Sequence, residues 1–258
     1  MFYREFVPPS DIRELVLSFW EFSLAADGAA TTHEIFPDGC VSLFYFRNRG
    51  LGISVAGISG LYLTSITKPI TPGDEVWGMR ISPAACRDVL RSDPKDLVGR
   101  TSFDIAAAPH LLDGLAEVLN SVDSAERGAE IMSSRIPTEA VADAAVSSAV
   151  SLVDERGGEV RVDELAAFAG LGRRQFERRF LAASGLTPKS YIRCRRIRAA
   201  AVDVAEGAST NWAHRAAKLG FADQSHLNRE LAAITNTVPK RFADGIKKIC
   251  HGDLVKPR

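Results

Sequence analysis

Residues 163–180 read DELAAFAGLGRRQFERRF, and residues 211–231 read NWAHRAAKLGFADQSHLNREL. The two stretches share a small residue, a glycine four residues later and an apolar residue directly after it: Ala166, Gly170 and Leu171 in the first, and Ala216, Gly220 and Phe221 in the second. A glycine ends a helix readily because it enters the left-handed backbone region without a steric penalty. A small residue in the first helix lets a second helix pack closely at a steep angle. Each stretch therefore predicts a helix-turn-helix unit.

The second helix of each unit has an apolar face and a polar face. Phe176 and Phe180 are four residues apart, as are Leu227 and Leu231, so each pair is expected to be buried. The polar face carries Arg173, Arg174, Glu177 and Arg178 in the first unit and Gln224, Ser225, His226, Asn228 and Arg229 in the second. In a helix-turn-helix protein this face enters the major groove of DNA, although a solvated helix face would look the same at any one position.

A long helix is predicted between the two units. Thr187 is a candidate N-cap, Pro188 suits the first helical position, and Gly207 can end a helix that runs through Ala205. Such a helix would span roughly 28 Å, close to the ~34 Å between successive major grooves on one face of B-DNA. It also carries Arg193, Arg195, Arg196 and Arg198, which either contact phosphates or pair with nearby carboxylates.

Segments of this region resemble the signature of the AraC/XylS family of DNA-binding regulators. They are residues 184–192 (SGLTPKSYI), residues 195–197 (RRI) and residues 220–227 (GFADQSHL). The resemblance covers about residues 140–244, and residues 19–20, 35–40 and 78–80 resemble the N-terminal domain of one AraC-type subgroup. Gly172 stands where the family usually has a capping serine, and Arg215 stands where it has an apolar core residue. Leu227 and Leu231 replace aromatic residues, so the second unit is expected to be less regular and to grip phosphates more than it reads bases.

The resemblance implies an α+β protein of two domains. Residues 1–136 would form a β-rich domain, a small sheet or barrel with helices, for effector binding or dimerisation. Residues 138–248 would form an all-α domain with two helix-turn-helix units joined by a long helix. Residues 249–258 would be a tail. It implies sequence-specific binding to double-stranded DNA by Arg173, Arg174, Glu177, Arg178, Gln224, Ser225, His226, Asn228 and Arg229. Further implied partners are a small effector, a second copy of the chain and, for an activator, RNA polymerase. No cofactor, catalytic residue or metal ligand is expected.

Composition and charge agree with this class of protein. The chain is 46% hydrophobic and 25% charged, lacks a long apolar run, and starts without the basic-then-apolar order of a signal peptide. A cytoplasmic protein without a membrane span is expected, and the widely spaced Cys40, Cys86, Cys194 and Cys250 are expected to be reduced. Residues 1–138 carry 12 basic and 18 acidic side chains, whereas residues 139–258 carry 20 and 14. This asymmetry predicts that only the C-terminal half meets a polyanion.

The N-terminal half alternates short apolar runs with turn residues. Ser10 and Asp11 can cap a helix through Trp20, with apolar residues at helical spacing. Strands are predicted at residues 33–36, 41–46, 53–56, 61–66 and 75–81, and helices at residues 84–91, 109–121 and 125–134. Pro137 marks the domain boundary, and Thr138 is a candidate cap for the next helix, which ends near Gly157.

Two other functions stay open on the sequence. The chain could be an enzyme that uses its C-terminal domain for targeting, although the clustered metal-bound cysteines of the DNA-repair relatives are absent. It could also be a helical protein-interaction module, which would not bind DNA. The N-terminal half shows no strong ligand or metal site. His33, Glu34 and Asp38 lack the pattern of a metal site. Core packing is the favoured role for five large apolar residues that could otherwise line an apolar pocket, namely Trp20, Phe44, Phe46, Trp77 and Met79.

Overall fold

The computed structural model describes residues 1–207 and 211–251. A β-rich N-terminal half and a helical C-terminal half confirm the predicted α+β class. The strands are β1 Phe2–Phe6, β2 Val16–Ser23, β3 Thr31–Ile35, β4 Ser42–Asn48, β5 Ile53–Ser59, β6 Ile66–Ile70, β7 Asp74–Ile81, β8 Thr101–Ser102 and β9 Cys250–His251. The helices are α1 Cys86–Leu90, α2 Pro109–Leu112, α3 Leu115–Asn120, α4 Ala125–Ser133, α5 Ala144–Glu155, α6 Val162–Phe168, α7 Arg173–Ser184, α8 Pro188–Ala205, α9 Trp212–Lys218, α10 Gln224–Thr235 and α11 Pro239–Lys247.

The N-terminal domain is built on a seven-stranded sheet in the order β8-β5-β4-β7-β2-β1-β9, beside a separate antiparallel pair, β3 and β6. All pairings in the large sheet are antiparallel except that of β1 with β9. Strand β9 lies in the segment that the sequence assigned to a tail, and it joins the residues that follow α11 to the sheet. The rest of that segment, residues 252–258, lies outside the described residues.

The helix predicted through Trp20 is wrong. Ser10–Ile12 forms a single 3-10 turn, and the following residues form β2, which pairs with β1 on one side and with β7 on the other. Val16 and Phe19 of this inner strand are buried. A strand covered on both faces carries nearly continuous apolar residues, so its pattern cannot be told from a buried helix by spacing alone. Its partner β1 was not predicted.

Smaller differences have local causes. The strand predicted at residues 61–66 is wrong in position, since β6 begins at Ile66. The helix predicted at residues 109–121 is divided into α2 and α3 by Gly114, whose φ of +62° is left-handed. The helix expected to be capped by Thr138 begins later, because the carboxylate of Asp143 accepts the N–H groups of Ala145 and Val146 at 3.0 and 3.1 Å.

The two halves share apolar packing across Pro137. Cys40 and Ala84 of the N-terminal half belong to the same buried cluster as Phe176 and Phe180 of α7. Leu186, which precedes α8, is buried in the N-terminal core that also contains Trp77 and Met79. The second unit has its own apolar cluster, centred on the helices α8 to α11. The first unit is therefore packed into the N-terminal domain more intimately than the second. None of the helices among the described residues is long and apolar enough to cross a bilayer.

Candidate nucleic-acid interface

The first predicted unit consists of α6, a tight turn and α7. Ala166 of α6 is buried, and Phe176 and Phe180 of α7 are fully buried with ring centroids 5.8 Å apart. Gly170 makes the turn with a left-handed φ of +67°. The apolar side of α7 is thus fixed against the domain, and its polar side faces outward, as the repeat predicted.

The polar side of α7 presents two arginines that are not held by other residues. Arg174 and Arg178 are exposed, and they form no side-chain hydrogen bond or ion pair within residues 1–207 and 211–251. Arg173 instead donates to Asp163 of α6 at 3.0 Å and to Glu177, one turn along α7, at 3.1 Å. Arg173 and Glu177 are therefore tied together on the surface, whereas Arg174 and Arg178 can reach DNA without breaking an internal bond.

The second unit consists of α9, a turn at Gly220 and α10. Asn211 caps α9, as predicted, since its Oδ1 accepts the N–H groups of Ala213 and His214 at 2.9 and 3.2 Å. Leu227 and Leu231 are fully buried, so leucines fill the places where the family has aromatic rings. This unit therefore has the same construction as the first.

The five predicted contact residues of α10 differ in exposure. Gln224, Ser225 and Arg229 are exposed, whereas His226 and Asn228 are half-buried. The ring of His226 lies edge-on to Phe221 at 5.4 Å, and its Nδ1 accepts the N–H of Ala222 at 3.4 Å. The Oδ1 atom of Asn228 is buried and has no hydrogen-bond partner in the described part of the chain. Of the five predicted contact residues, Gln224, Ser225 and Arg229 are therefore the ones open to solvent.

A buried ion pair explains one departure from the family pattern. Arg215 is 3% exposed, donates to Asp203 of α8 at 2.6 Å and lies over the Trp212 ring at 4.5 Å. Asp203 also accepts from Lys218 at 2.5 Å. Burial alone would raise the pKa of Asp203, but the bonds to Lys218 and Arg215 outweigh it and lower that pKa. An ionic contact therefore replaces the usual apolar contact between α9 and α8.

The arginines of α8 bind within the protein. Arg193 donates to Glu230 at 2.7 Å, and Arg195 donates to Asp154 at 2.6 Å. Arg198 makes a two-bond contact with Glu5, and Arg196 donates to the Gly158 carbonyl at 2.7 Å. Of the two interpretations that the sequence left open, the structure favours internal partners over phosphate contacts. The partners come from distant parts of the chain, which is why spacing along α8 could not reveal them.

Glu5, Arg80 and Arg198 form a buried ionic cluster, here called the Glu5 cluster. The Glu5 carboxylate is fully buried and accepts from Arg80 of β7 at 2.7 Å and from Arg198 of α8 at 3.0 and 2.5 Å. Burial alone would raise the pKa of Glu5, but the charges of Arg198 and Arg80 hold that pKa well below its ordinary value. The Glu5 cluster therefore joins the first strand of the chain to the helix between the two units.

The described residues contain no group of three His, Cys, Asp or Glu side chains placed to hold a metal ion. Cys40, Cys86 and Cys194 are buried free thiols. Burial raises the pKa of each, that of Cys194 to about 12, so these thiols are not activated nucleophiles.

Two family models match the chain. Residues 165–245 match a helix-turn-helix domain, and residues 4–102 match a domain of unknown function (DUF6597). The first match spans both units and confirms the resemblance that residues 184–192 and 220–227 carry. No protein of curated function is significantly similar in sequence.

Solved structures of ToxT from Vibrio cholerae are weakly similar to the chain. The 1.65 Å structure in the P21 form is 11% identical, covers 84% of this chain and 98% of its own, and has a TM-score of 0.46. ToxT bound to (E)-4-(8-methylnaphthalen-1-yl)but-3-enoic acid is 12% identical, with coverages of 84% and 98% and a TM-score of 0.45. Wild-type ToxT bound to an unsaturated fatty acid is 10% identical, with coverages of 91% and 96% and a TM-score of 0.43.

Proposed function

We propose that this chain reads a specific DNA sequence with α7 and α10. It carries an AraC-type helix-turn-helix domain and is a transcription regulator rather than an enzyme. The observation that carries the proposal is the pair of exposed polar faces at the two units, each backed by buried apolar side chains. A single exposed arginine would not by itself indicate DNA binding. Two such faces joined by one helix of about 27 Å suit two successive major grooves.

The residues divide by role in this proposal. Arg174 and Arg178 read bases in the first groove, because a guanidinium matches the two acceptors of guanine. Arg173 is a positioning residue that holds Glu177, whose carboxylate can accept from cytosine N4. In the second groove Gln224, Ser225 and Arg229 make direct contacts, whereas His226 and Asn228 reach DNA only at the edge of the interface.

We further propose that the N-terminal domain controls DNA binding, through a small effector or through dimerisation. The Glu5 cluster and the apolar cluster that contains Cys40, Ala84 and Phe176 support this proposal, because a shift in the sheet would move α7 and α8. RNA polymerase would be a further partner if the protein activates transcription. A regulator of this bacterial type would act in the cytoplasm, where its DNA lies.

Selection of bound sequences from a random double-stranded DNA pool tests the proposal. The full chain should enrich an asymmetric site with two blocks of defined sequence about one helical turn apart, because the two recognition helices differ. Arg178→Ala should relax the sequence at one or two base pairs of one block and reduce affinity by about 10-fold or more.

Arg100→Ala is the matched control, since Arg100 is an exposed arginine of the acidic N-terminal domain. It should leave the selected sequence unchanged. If the folded wild type enriches no sequence, or if Arg178→Ala weakens every sequence alike, the assigned reading role is wrong.

A further inference from the structure

A cleft of about 600 Å³ lies between the small β3–β6 sheet and the C-terminal end of the second unit, and we call it the interdomain cleft. Thr32, Glu34 and Thr67 line it from the small sheet, and Arg241, Asp244 and Lys248 line it from α11 and the residue that follows this helix. A volume of this size suits a small-molecule ligand.

The charged side chains that line the cleft from α11 and its C-cap have no partners among the described residues. Arg241, Asp244 and Lys248 follow one another at intervals of three and four residues, so they share one side of the helix. Within residues 1–207 and 211–251 none of the three makes a side-chain hydrogen bond or an ion pair. Gly245 adds no side chain to this surface, and a Cβ atom at its position would meet nothing within 4 Å. Among the described residues, these two cations and this carboxylate are therefore exposed and unpaired.

The wall formed by the small sheet adds a second carboxylate, that of Glu34, which already accepts a hydrogen bond. Glu34 Oε1 lies 2.7 Å from the hydroxyl of Ser65, which donates to it. The interdomain cleft thus contains the basic side chains of Arg241 and Lys248 and the acidic side chains of Glu34 and Asp244, and Met1 and His33 line it as well. A ligand with a single sign of charge would pair with one set and be repelled by the other. A ligand that carries both signs would pair with both sets through charge-assisted hydrogen bonds.

We propose that the interdomain cleft binds a small zwitterion with a free carboxylate and a free ammonium group, that is, an amino acid or a short peptide. Arg241 and Lys248 bind the carboxylate, and Glu34 and Asp244 bind the ammonium group. The hydroxyls of Thr32 and Thr67 supply further hydrogen bonds along the wall formed by the small sheet.

Ser65 connects this cleft to the second recognition helix. Its backbone N–H donates to the Ile234 carbonyl at 2.8 Å, and its hydroxyl lies 3.0 Å from the Thr235 carbonyl as well as 2.7 Å from Glu34. A hydroxyl donates only one hydrogen. Glu34 and the last turn of α10 therefore compete for it. A ligand ammonium group on Glu34 weakens that acceptor and leaves the hydrogen to Thr235, which fixes the end of α10 against the N-terminal domain.

Calorimetric titration of the full chain without DNA tests the binding site. The probes are triglycine, N-acetyltriglycine, which lacks the ammonium group, triglycinamide, which lacks the carboxylate, and the common free amino acids. At least one unblocked zwitterion should bind saturably, and each blocked triglycine should bind about 10-fold more weakly than triglycine or not at all. No saturable binding by triglycine or by any amino acid would overturn the proposal, and so would equal binding of the three triglycine forms.

Variants locate the site within the chain. Arg241→Gln should weaken the preference for a free carboxylate, and Glu34→Gln should weaken the preference for a free ammonium group. Arg100→Gln, an exposed arginine away from the cleft lining, should bind like the wild type. If Arg241→Gln, while still folded, binds triglycine with unchanged affinity and selectivity, the ligand lies elsewhere and the assignment fails.

The effect of the ligand on DNA rests on the proposed function, whereas binding to the cleft does not. Saturation with the tightest of these zwitterions should change the DNA affinity of the wild type and leave that of Ser65→Ala unchanged. Zwitterion binding by a chain that binds no DNA would support the cleft and overturn the proposed function. Specific DNA binding by a chain that binds no zwitterion would do the reverse.

Discussion

Glu5→Gln removes one negative charge from between two buried arginines and keeps the size of the side chain. The Glu5 side chain has no exposed surface, and those of Arg80 and Arg198 are 10% and 13% exposed. Loss of one partner of a buried ion pair costs about 3–5 kcal/mol, because the remaining charge stays buried. Arg80 also binds Asp38 and Tyr3, so we expect a loss near the lower end, about 3 kcal/mol.

Urea unfolding of the wild type and the variant, followed by circular dichroism, measures this loss. Asp123→Asn is the control, since it removes the exposed partner of Arg49 and exposed ion pairs contribute little. Arg198→Met completes a double-mutant cycle, and the double variant should lose less stability than the two single losses added together. If Glu5→Gln costs no more than Asp123→Asn, the Glu5 cluster does not hold α8 to the N-terminal domain.

Three further predictions concern the turns, the second unit and pH. Gly170→Ala should reduce the free energy of unfolding by about 1–2 kcal/mol, because alanine is strained at a left-handed φ. Gly172→Ala is the control and should cost much less, since Gly172 has a φ of −67° and open space around the new Cβ. Equal losses would contradict the left-handed turn at Gly170. Arg215→Met should reduce the free energy of unfolding by about 3–5 kcal/mol, because Asp203 stays buried with only Lys218 as its partner. The double variant Arg215→Met with Asp203→Leu should recover most of that stability. A double variant no more stable than Arg215→Met alone would contradict the assignment of the loss to the ion pair. The folded-state pKa values of Glu5 and Asp203 are lowered, so the stability that these carboxylates contribute is complete above an unfolded pKa of about 4 and is lost as the pH falls towards the folded values. At pH values below about 4, the urea midpoint should therefore decrease less steeply for Glu5→Gln than for the wild type. Parallel curves for the two proteins would contradict this assignment.

Local signals in the C-terminal half predicted the bounds of α8, the cap of α9 and the buried faces of α7 and α10, but Thr138 does not cap α5. Thr187, Pro188 and Gly207 bound α8 as expected, and Asn211 caps α9. Caps, helix-ending glycines and four-residue apolar spacing each act within one or two turns of helix, so they can be read directly from the sequence. The buried and exposed faces of α7 followed from the same spacing.

Contacts between distant residues could not be predicted in this way. The spacing of Val16 and Phe19 fits a helix, yet both lie in the inner strand β2, because the neighbouring strands β1 and β7 supply its hydrogen bonds. The inward orientation of Arg198 depends on Glu5, which is 193 residues away in the chain. The sequence predicted the positions of the arginines on α8, but only the tertiary structure decides what they bind.

Binding of the full chain to its selected DNA site and to a shuffled version of that site, measured over a range of salt concentrations, tests the central claim most directly. We predict that the selected site binds at least ~10³-fold more tightly, and that the logarithm of both affinities falls linearly with the logarithm of salt concentration as phosphate counterions are released. A folded chain that binds neither DNA at low salt, or that binds both with equal affinity, would contradict sequence-specific reading by α7 and α10.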